Sequence, residues 1–300
     1  MAVRGRRGSP IWRVRTAYLL VLPGLALFLF FFLYPIGYSI QLATTNATFF
    51  NFVSGYESIG LDNFKKLLVE GKFFYPLLKT FLFIITSVSL KIFAGLFFAS
   101  LLSSPYLKLQ QVLRPLFLTP WAVPWFFLVL IWRGMFNQDF GVINQVLRSM
   151  GLPAVNWLND VWNAFIAYNI VELYLAYPFM MTVTLAAVQS IPTDLFESAI
   201  VDGASIWSTF RYITLPLIKK PFLWATLMAT IASYMIFGVP FLLNRGGPAG
   251  SNEFLLVHGY KRAFDLGRYG YAAAFMVLVF SILVILVVLF SKITKLTSEE

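Results

Sequence analysis

Of 300 residues, 59% are hydrophobic, 18% aromatic and only 12% charged, whereas a water-soluble domain carries about a quarter charged residues. Composition therefore excludes a soluble domain and places the chain in a lipid bilayer. The formal net charge of +10 is gathered beside apolar runs and lines no continuous face, so it reads as topology and headgroup contact, with no nucleic acid implied.

The chain holds no cysteine and one histidine, His258. Disulfides, thiolate ligands and a cysteine nucleophile are excluded, and little remains for a metal cluster or a triad. No internal repeat or low-complexity tract divides the chain. The expected fold is an all-α polytopic membrane protein with a basic tail (1–16), one transmembrane domain (17–292) and a short second tail (293–300).

Arg4, Arg6, Arg7, Arg13 and Arg15 precede an apolar run over about 17–42, long enough to cross a hydrocarbon core of roughly 30 Å. It is too long and too aromatic for a cleaved signal peptide or a twin-arginine signal and reads as an uncleaved first helix. Residues 43–76 are mixed and polar, with Gly55, Gly60, Asp62, Lys65, Lys66, Glu70 and Lys72, and read as a loop with short helices. A second span follows at about 77–102. The third, about 112–132, contains Pro115, Pro120 and Pro124, each of which removes a helix hydrogen bond, so this span must bend or break.

Residues 133–160 form a second loop, and Trp132, Trp157 and Trp162 in or beside it suit the membrane interface. The fourth span, about 162–187, carries Glu172 and Pro178. A polar connection over 189–220 leads to the fifth span, about 222–243. Residues 245–268 form the next loop, and the sixth span is about 269–290. Six spans put both termini on one side, and the arginines before the first helix place that side in the cytoplasm.

The connection contains ESAIVDGASIWSTFRYITLP, Glu197 to Pro216. Asp194 is expected to cap a short helix, with Glu197 reaching back to complete a capping box. Gly203 ends that helix. Ser205 caps a second one, which carries Trp207, Phe210 and Ile213 on roughly one side and is expected to stop near Leu215 because of Pro216. Trp207 and Phe210 either anchor in a partner's pocket or pack back on the protein's own helix ends, and Arg211 suits an acidic rim. No P-loop is present: Gly71-Lys72 runs into Phe73 and no other glycine precedes a lysine, so ATP-driven transport would need a separate ATPase.

Glu197, Ala199 and Gly203, then nine residues, then Ile213, Leu215 and Pro216 resemble the EAA signature of permease subunits in binding-protein-dependent ABC importers. Ser198 replaces the middle alanine. Leu61-Asp62-Asn63-Phe64, Ser190-Ile191-Pro192, Gly246-Gly247-Pro248 and Gly270-Tyr271-Ala272-Ala273-Ala274 resemble the carbohydrate branch, most closely the permeases for maltose-type oligosaccharides or glycerol phosphate. The resemblance implies a type I ABC importer permease fold in a prokaryotic plasma membrane and a heterodimer with a second homologous permease. It also implies two cytoplasmic ATPase subunits, which hold ATP and Mg, and an external solute-binding protein that delivers a sugar. No cofactor is implied on this chain. Glu197, Ser198, Ala199, Gly203, Trp207, Phe210, Arg211, Ile213, Leu215 and Pro216 are the expected ATPase-coupling residues.

Polar groups inside spans are costly and should face the bundle interior or water. Glu172, one turn from Tyr168 and Asn169, is either part of a sugar-contacting wall or a structural partner of Lys91. Thr226, Thr230, Ser233, Tyr234 and Phe237 recur at three- and four-residue spacing and either line a cavity or serve as packing glue. Tyr234 and Phe237 suit stacking on sugar rings. His258, beside Lys261 and Arg262, either meets an approaching binding protein or is solvated. Gly246-Gly247-Pro248 reads as a turn. Two rival functions stay open on residue order alone. An ion-driven secondary transporter would have only Glu172 and Lys91 for coupling, and a membrane-embedded enzyme only Asp194, Glu197 and Asp202 as close acids.

Overall fold

A computed structural model describes residues 10–104 and 107–294. Arg4, Arg6 and Arg7 of the basic tail, and most of the tail over 293–300, lie outside the described residues. Helix α1 (Pro10–Phe28) continues through a π-helical turn at Leu29–Leu33 into α2 (Tyr34–Ala43). Pro35, the second residue of α2, has no N–H to give to the preceding turn, and the wider π turn absorbs the missing bond.

After α3 (Asp62–Val69) come α4 (Phe74–Ser103), α5 (Gln110–Phe117), α6 (Thr119–Ala122), α7 (Trp125–Met135) and α8 (Val142–Ser149). The second half contains α9 (Val161–Gln189), α10 (Thr193–Val201), α11 (Ile206–Thr209), a π turn at Phe210–Thr214, α12 (Leu215–Leu217), α13 (Lys219–Tyr234) and α14 (Gly238–Asn244). It closes with α15 (Leu255–Tyr260), a π turn at Lys261–Asp265 and α16 (Tyr269–Thr294). No strand occurs among the described residues.

Among the described residues, five stretches are long and apolar enough to cross a membrane: Tyr18–Ala43, Phe74–Ser103, Val161–Gln189, Lys219–Asn244 and Tyr269–Thr294. The third expected span is not one helix. Pro115 lies inside α5, Pro120 at the start of α6, and Pro124 holds an extended conformation immediately before α7. Three prolines within ten residues divide the run into α5, α6 and α7.

Helices α4 and α9 run parallel, as shown by contacts that advance together along both. The Phe83 and Phe165 rings are 6.0 Å apart, Thr86 meets Asn169, Lys91 meets Glu172, and Gly95 faces Met180. A Cβ on Gly95 would lie 2.6 Å from Met180 Cβ, so glycine lets the two backbones approach. Antiparallel α13 fits beside both, with Ala225 and Ala229 against Met180. Tyr234 Oη donates to Val279 O on α16 at 2.7 Å. The span containing α13 breaks at Met235–Phe237, and Gly238 then packs beneath the Trp125 ring of α7.

At the end of the bundle where α4, α9 and α16 begin, Phe83, Phe136, Phe165, Tyr168 and Phe254 form an aromatic core. Polar side chains order the loops around it. Asn63 is buried and donates to Ala43 O at 2.9 Å and Thr45 O at 2.8 Å, closing off the end of α2. Buried Asn144 donates to Gln138 O and Val155 O and accepts from Val155 N and Trp157 Nε1.

Candidate functional site

At the opposite end of the bundle, between α9 and α13, the chain from Ser190 to Ile218 makes a helix, a sharp turn and a second helix. Its underside is apolar: Ala187, Ile191 and Ile218 are buried together with Phe196, Val188, Leu96 and Phe222 against them. Ala199 is also buried. The outer side is apolar too, and uncovered. Ile200, Val201, Ile206, Trp207, Tyr212 and Leu217 are exposed, Ile206 to 92%.

Gly203 has φ of +73°, where L side chains are strained. Its N–H donates to Ile200 O and that of Ala204 to Ala199 O at 2.9 Å, a Schellman-type closure of α10. Ser205 caps α11 as expected, accepting from Ser208 N at 3.2 Å. Trp207 and Phe210 stack on each other with centroids 5.7 Å apart. Arg211 is exposed beside the Tyr212 ring. Glu197 is exposed and makes no ion pair among the described residues.

Two local expectations fail here. Asp194 is not the cap: α10 starts at Thr193 with Pro192 in the cap position, no side chain caps it, and Asp194 lies in the first turn. The Asp194–Glu197 capping box is therefore absent, although an acid in that turn still complements the helix dipole. Pro216 also fails to stop the second helix near Leu215. The π turn at Phe210–Thr214 accommodates the absent proline N–H, Ile218 N donates to Thr214 O at 3.0 Å, and the path continues through α12 into α13.

Inside the bundle, the expected path residues are drawn into pairings. Lys91 is fully buried, and its ammonium lies 2.8 Å from Glu172 Oε1 and 2.9 Å from Ser233 Oγ. Glu172 thus has the structural partner that was its alternative reading. Thr86 Oγ1 donates to Asn169 Oδ1 at 2.9 Å. The Thr226 and Thr230 hydroxyls return to the carbonyls of Phe222 and Thr226 on their own helix. Phe237 lies in the helix break and packs on Phe241 and Tyr260, 4.8 and 5.2 Å away.

The loop after α14 is a second constellation, and the sequence reading missed its central residues. Gly246-Gly247-Pro248 is a turn, as expected, with a cis bond before the proline. It is tied to α9: Tyr168 Oη donates to Asn244 Oδ1, Asn244 Nδ2 to Leu158 O at 2.7 Å, and Asn252 Nδ2 to Val161 O at 2.8 Å. His258 is buried, correcting the solvated alternative. Arg262 Nε donates to its Nε2 at 3.2 Å, which leaves Nδ1 to donate to Glu253 Oε2 at 2.8 Å, so the ring is a neutral Nδ1–H tautomer. Lys261 also donates to Glu253. Burial opposes ionisation of Glu253, yet the hydrogen bonds from His258 and Lys261 prevail and bring its carboxyl down to about 2. The spacing of Glu253 five residues before His258 matches no helical face, so no sequence period flagged it.

Residues 91–293 match the family model described as binding-protein-dependent transport system inner membrane component. The trehalose/maltose transport system permease MalF of Thermococcus litoralis is 33% identical over 94% of this chain and 94% of its own. The galactooligosaccharides transport permease GanP of Bacillus subtilis is 30% identical over 93% of this chain and 70% of its own. Among solved structures, a chain of a bacterial alginate ABC transporter in complex with an alginate pentasaccharide-bound periplasmic protein superposes with a TM-score of 0.80. It is 20% identical and covered to 99%, against 98% of this chain. These matches set aside the ion-driven transporter and the membrane enzyme. With five helices among its described residues long and apolar enough to cross a membrane and a protruding loop between α9 and α13, the chain belongs to the family of binding-protein-dependent transport system inner membrane components, as a multi-pass membrane permease.

Proposed function

We propose that this chain is one permease subunit of an ATP-driven importer of a carbohydrate, an oligosaccharide of the maltodextrin type. The single observation that carries the coupling half of this reading is the uncovered apolar outer side of α10 and α11. A cytoplasmic ATPase subunit would cover it, with Trp207 and Phe210 as the anchoring pair and Glu197 and Arg211 at the rim. The termini and this loop then face the cytoplasm.

The remaining partners are a second homologous permease, two ATPase subunits that bind ATP and Mg, and an external solute-binding protein. Relatives named for trehalose/maltose and galactooligosaccharides transport support the sugar class. Asn169, Glu172, Thr226, Thr230, Ser233, Tyr234 and Phe237 stand as path candidates. Their present pairings would have to exchange with sugar hydroxyls for transport to proceed, since a buried group left unpaired costs about 1–3 kcal/mol.

Glu197→Lys and Gly203→Asp test the coupling assignment in proteoliposomes containing the assembled importer. Both variants should insert, leave ATP hydrolysis running, and abolish uptake of a labelled maltodextrin. Uptake at the wild-type rate in both would overturn the assignment.

A further inference from the structure

A pocket of about 420 Å³ opens between the segment after α2, helix α3 and the start of α16. Lys66, Lys72, Arg262 and Arg268 contribute to its wall, and Glu70, hydrogen-bonded to Lys72, is the carboxylate there. Lys66, Arg262 and Arg268 form no ion pair with any described carboxylate. Arg262 spends its Nε on His258, leaving its two amino groups for another acceptor. Four cations held in a concave wall with one carboxylate leave a net positive potential, and two guanidinium forks match a tetrahedral oxyanion.

The surroundings indicate what kind of anion. The pocket lies where the apolar helices α2 and α16 meet the loops, which is headgroup depth for a chain that crosses the bilayer. The two chain segments that adjoin its lining carry exposed apolar side chains: Phe49, Phe50 and Val53 after Thr48, and Phe264 and Leu266 between Arg262 and Arg268. Phe49 N donates to Gly267 O at 2.7 Å, so the two segments are held together. Exposed aromatic and aliphatic groups beside a basic cluster are the composition of a surface that lies in the membrane interface.

We propose that this pocket binds the phosphate of an anionic phospholipid, held by Lys66, Arg262 and Arg268 with Tyr271 beside them, its acyl chains running along the apolar flank of α2. The inference requires only the membrane location. It stands apart from the transport reading, because its test measures lipid and not uptake.

The test is native mass spectrometry of the full purified chain, delipidated in neutral detergent and offered phosphatidylglycerol or phosphatidylcholine at equal concentration. Wild type should retain phosphatidylglycerol preferentially, and Lys66→Gln with Arg268→Gln should lower that preference by roughly fivefold per charge removed. Both side chains are exposed, so the double variant should keep the wild-type melting temperature, and Arg268→Lys should keep most of the preference. Equal retention of both lipids, or a preference unchanged in the double variant, would overturn the proposal. Inorganic phosphate bound by wild type and lost in the variant, without any lipid preference, would assign the pocket to a free anion and overturn the lipid source. Displacement of the lipid by a polyglutamate peptide bound more tightly than phosphatidylglycerol would assign it to an acidic protein partner instead.

Discussion

Lys91 on α4 and Glu172 on α9 form an ion pair of 2.8 Å inside the bundle, the lysine without exposed surface and its ammonium also 2.9 Å from Ser233 Oγ on α13. One cation therefore ties three helices at a single level. Burying it is costly, and the contacts to Glu172 and Ser233 offset that cost.

Removing one member should be worse than removing both. Lys91→Met leaves an isolated carboxylate and should destabilise by about 3–5 kcal/mol, whereas Lys91→Met with Glu172→Leu should recover most of that loss. Thermal unfolding in detergent of the two single variants and the double variant forms the cycle. Strict additivity would show that the pair is not coupled.

Gly95 should tolerate no side chain. Its Cβ would fall 2.6 Å from Met180 Cβ and 3.1 Å from that residue's carbonyl carbon, neither of which is the flexible end of a side chain. Gly95→Val should part α4 from α9 and cost about 1–3 kcal/mol as overpacking. A disulfide trap reads the same separation: cysteines at Thr86 and Asn169, which are hydrogen-bonded in the wild type, should cross-link less readily in the Gly95→Val background.

Gly203 differs in kind, because nothing lies within 4 Å of where its Cβ would sit and only its φ of +73° opposes substitution. Gly203→Val should cost about 1–2 kcal/mol, and Gly203→Asn less, since asparagine enters the left-handed region more readily. Comparing their melting temperatures separates backbone strain from steric conflict. Equal losses would point to a contact instead of a conformation.

Glu253 sets an acid limit on stability. Its carboxyl lies at about 2 in the folded chain against an ordinary 4.5, so its ionised form is favoured by folding. That contribution is complete above the ordinary value and is lost as pH falls from there through the folded value. Melting temperature measured between neutral and strongly acidic pH should fall over this window in wild type, and Glu253→Gln should be less stable at neutral pH with a flatter acid limb. An identical slope in both would remove Glu253 as its source.

Much of this architecture was legible from residue order. Apolar runs of sufficient length located the crossing helices, Pro115, Pro120 and Pro124 marked the broken one, and Gly203 and Ser205 marked the turn and cap of the protruding loop. Those signals are local, arising from chain length, a missing N–H or one residue's φ preference. Asp194 and Pro216 were misread for a related reason. Pro192 took the cap position ahead of the residue that the side-chain pattern suggested, and a π turn absorbed the proline that should have ended the helix.

By itself, then, the sequence determined a membrane chain, its crossing segments and a motif-bearing loop, because solvation by lipid and backbone hydrogen bonding act on contiguous residues. Only tertiary structure decided that Lys91 meets Glu172 and Ser233, that Asn169 meets Thr86, and that His258 is buried on Glu253. Pairings of this kind depend on which helix faces turn toward one another and at what depth. That geometry is set by the packing of glycine, alanine and aromatic side chains between helices distant in the chain, and no periodicity within one segment records it.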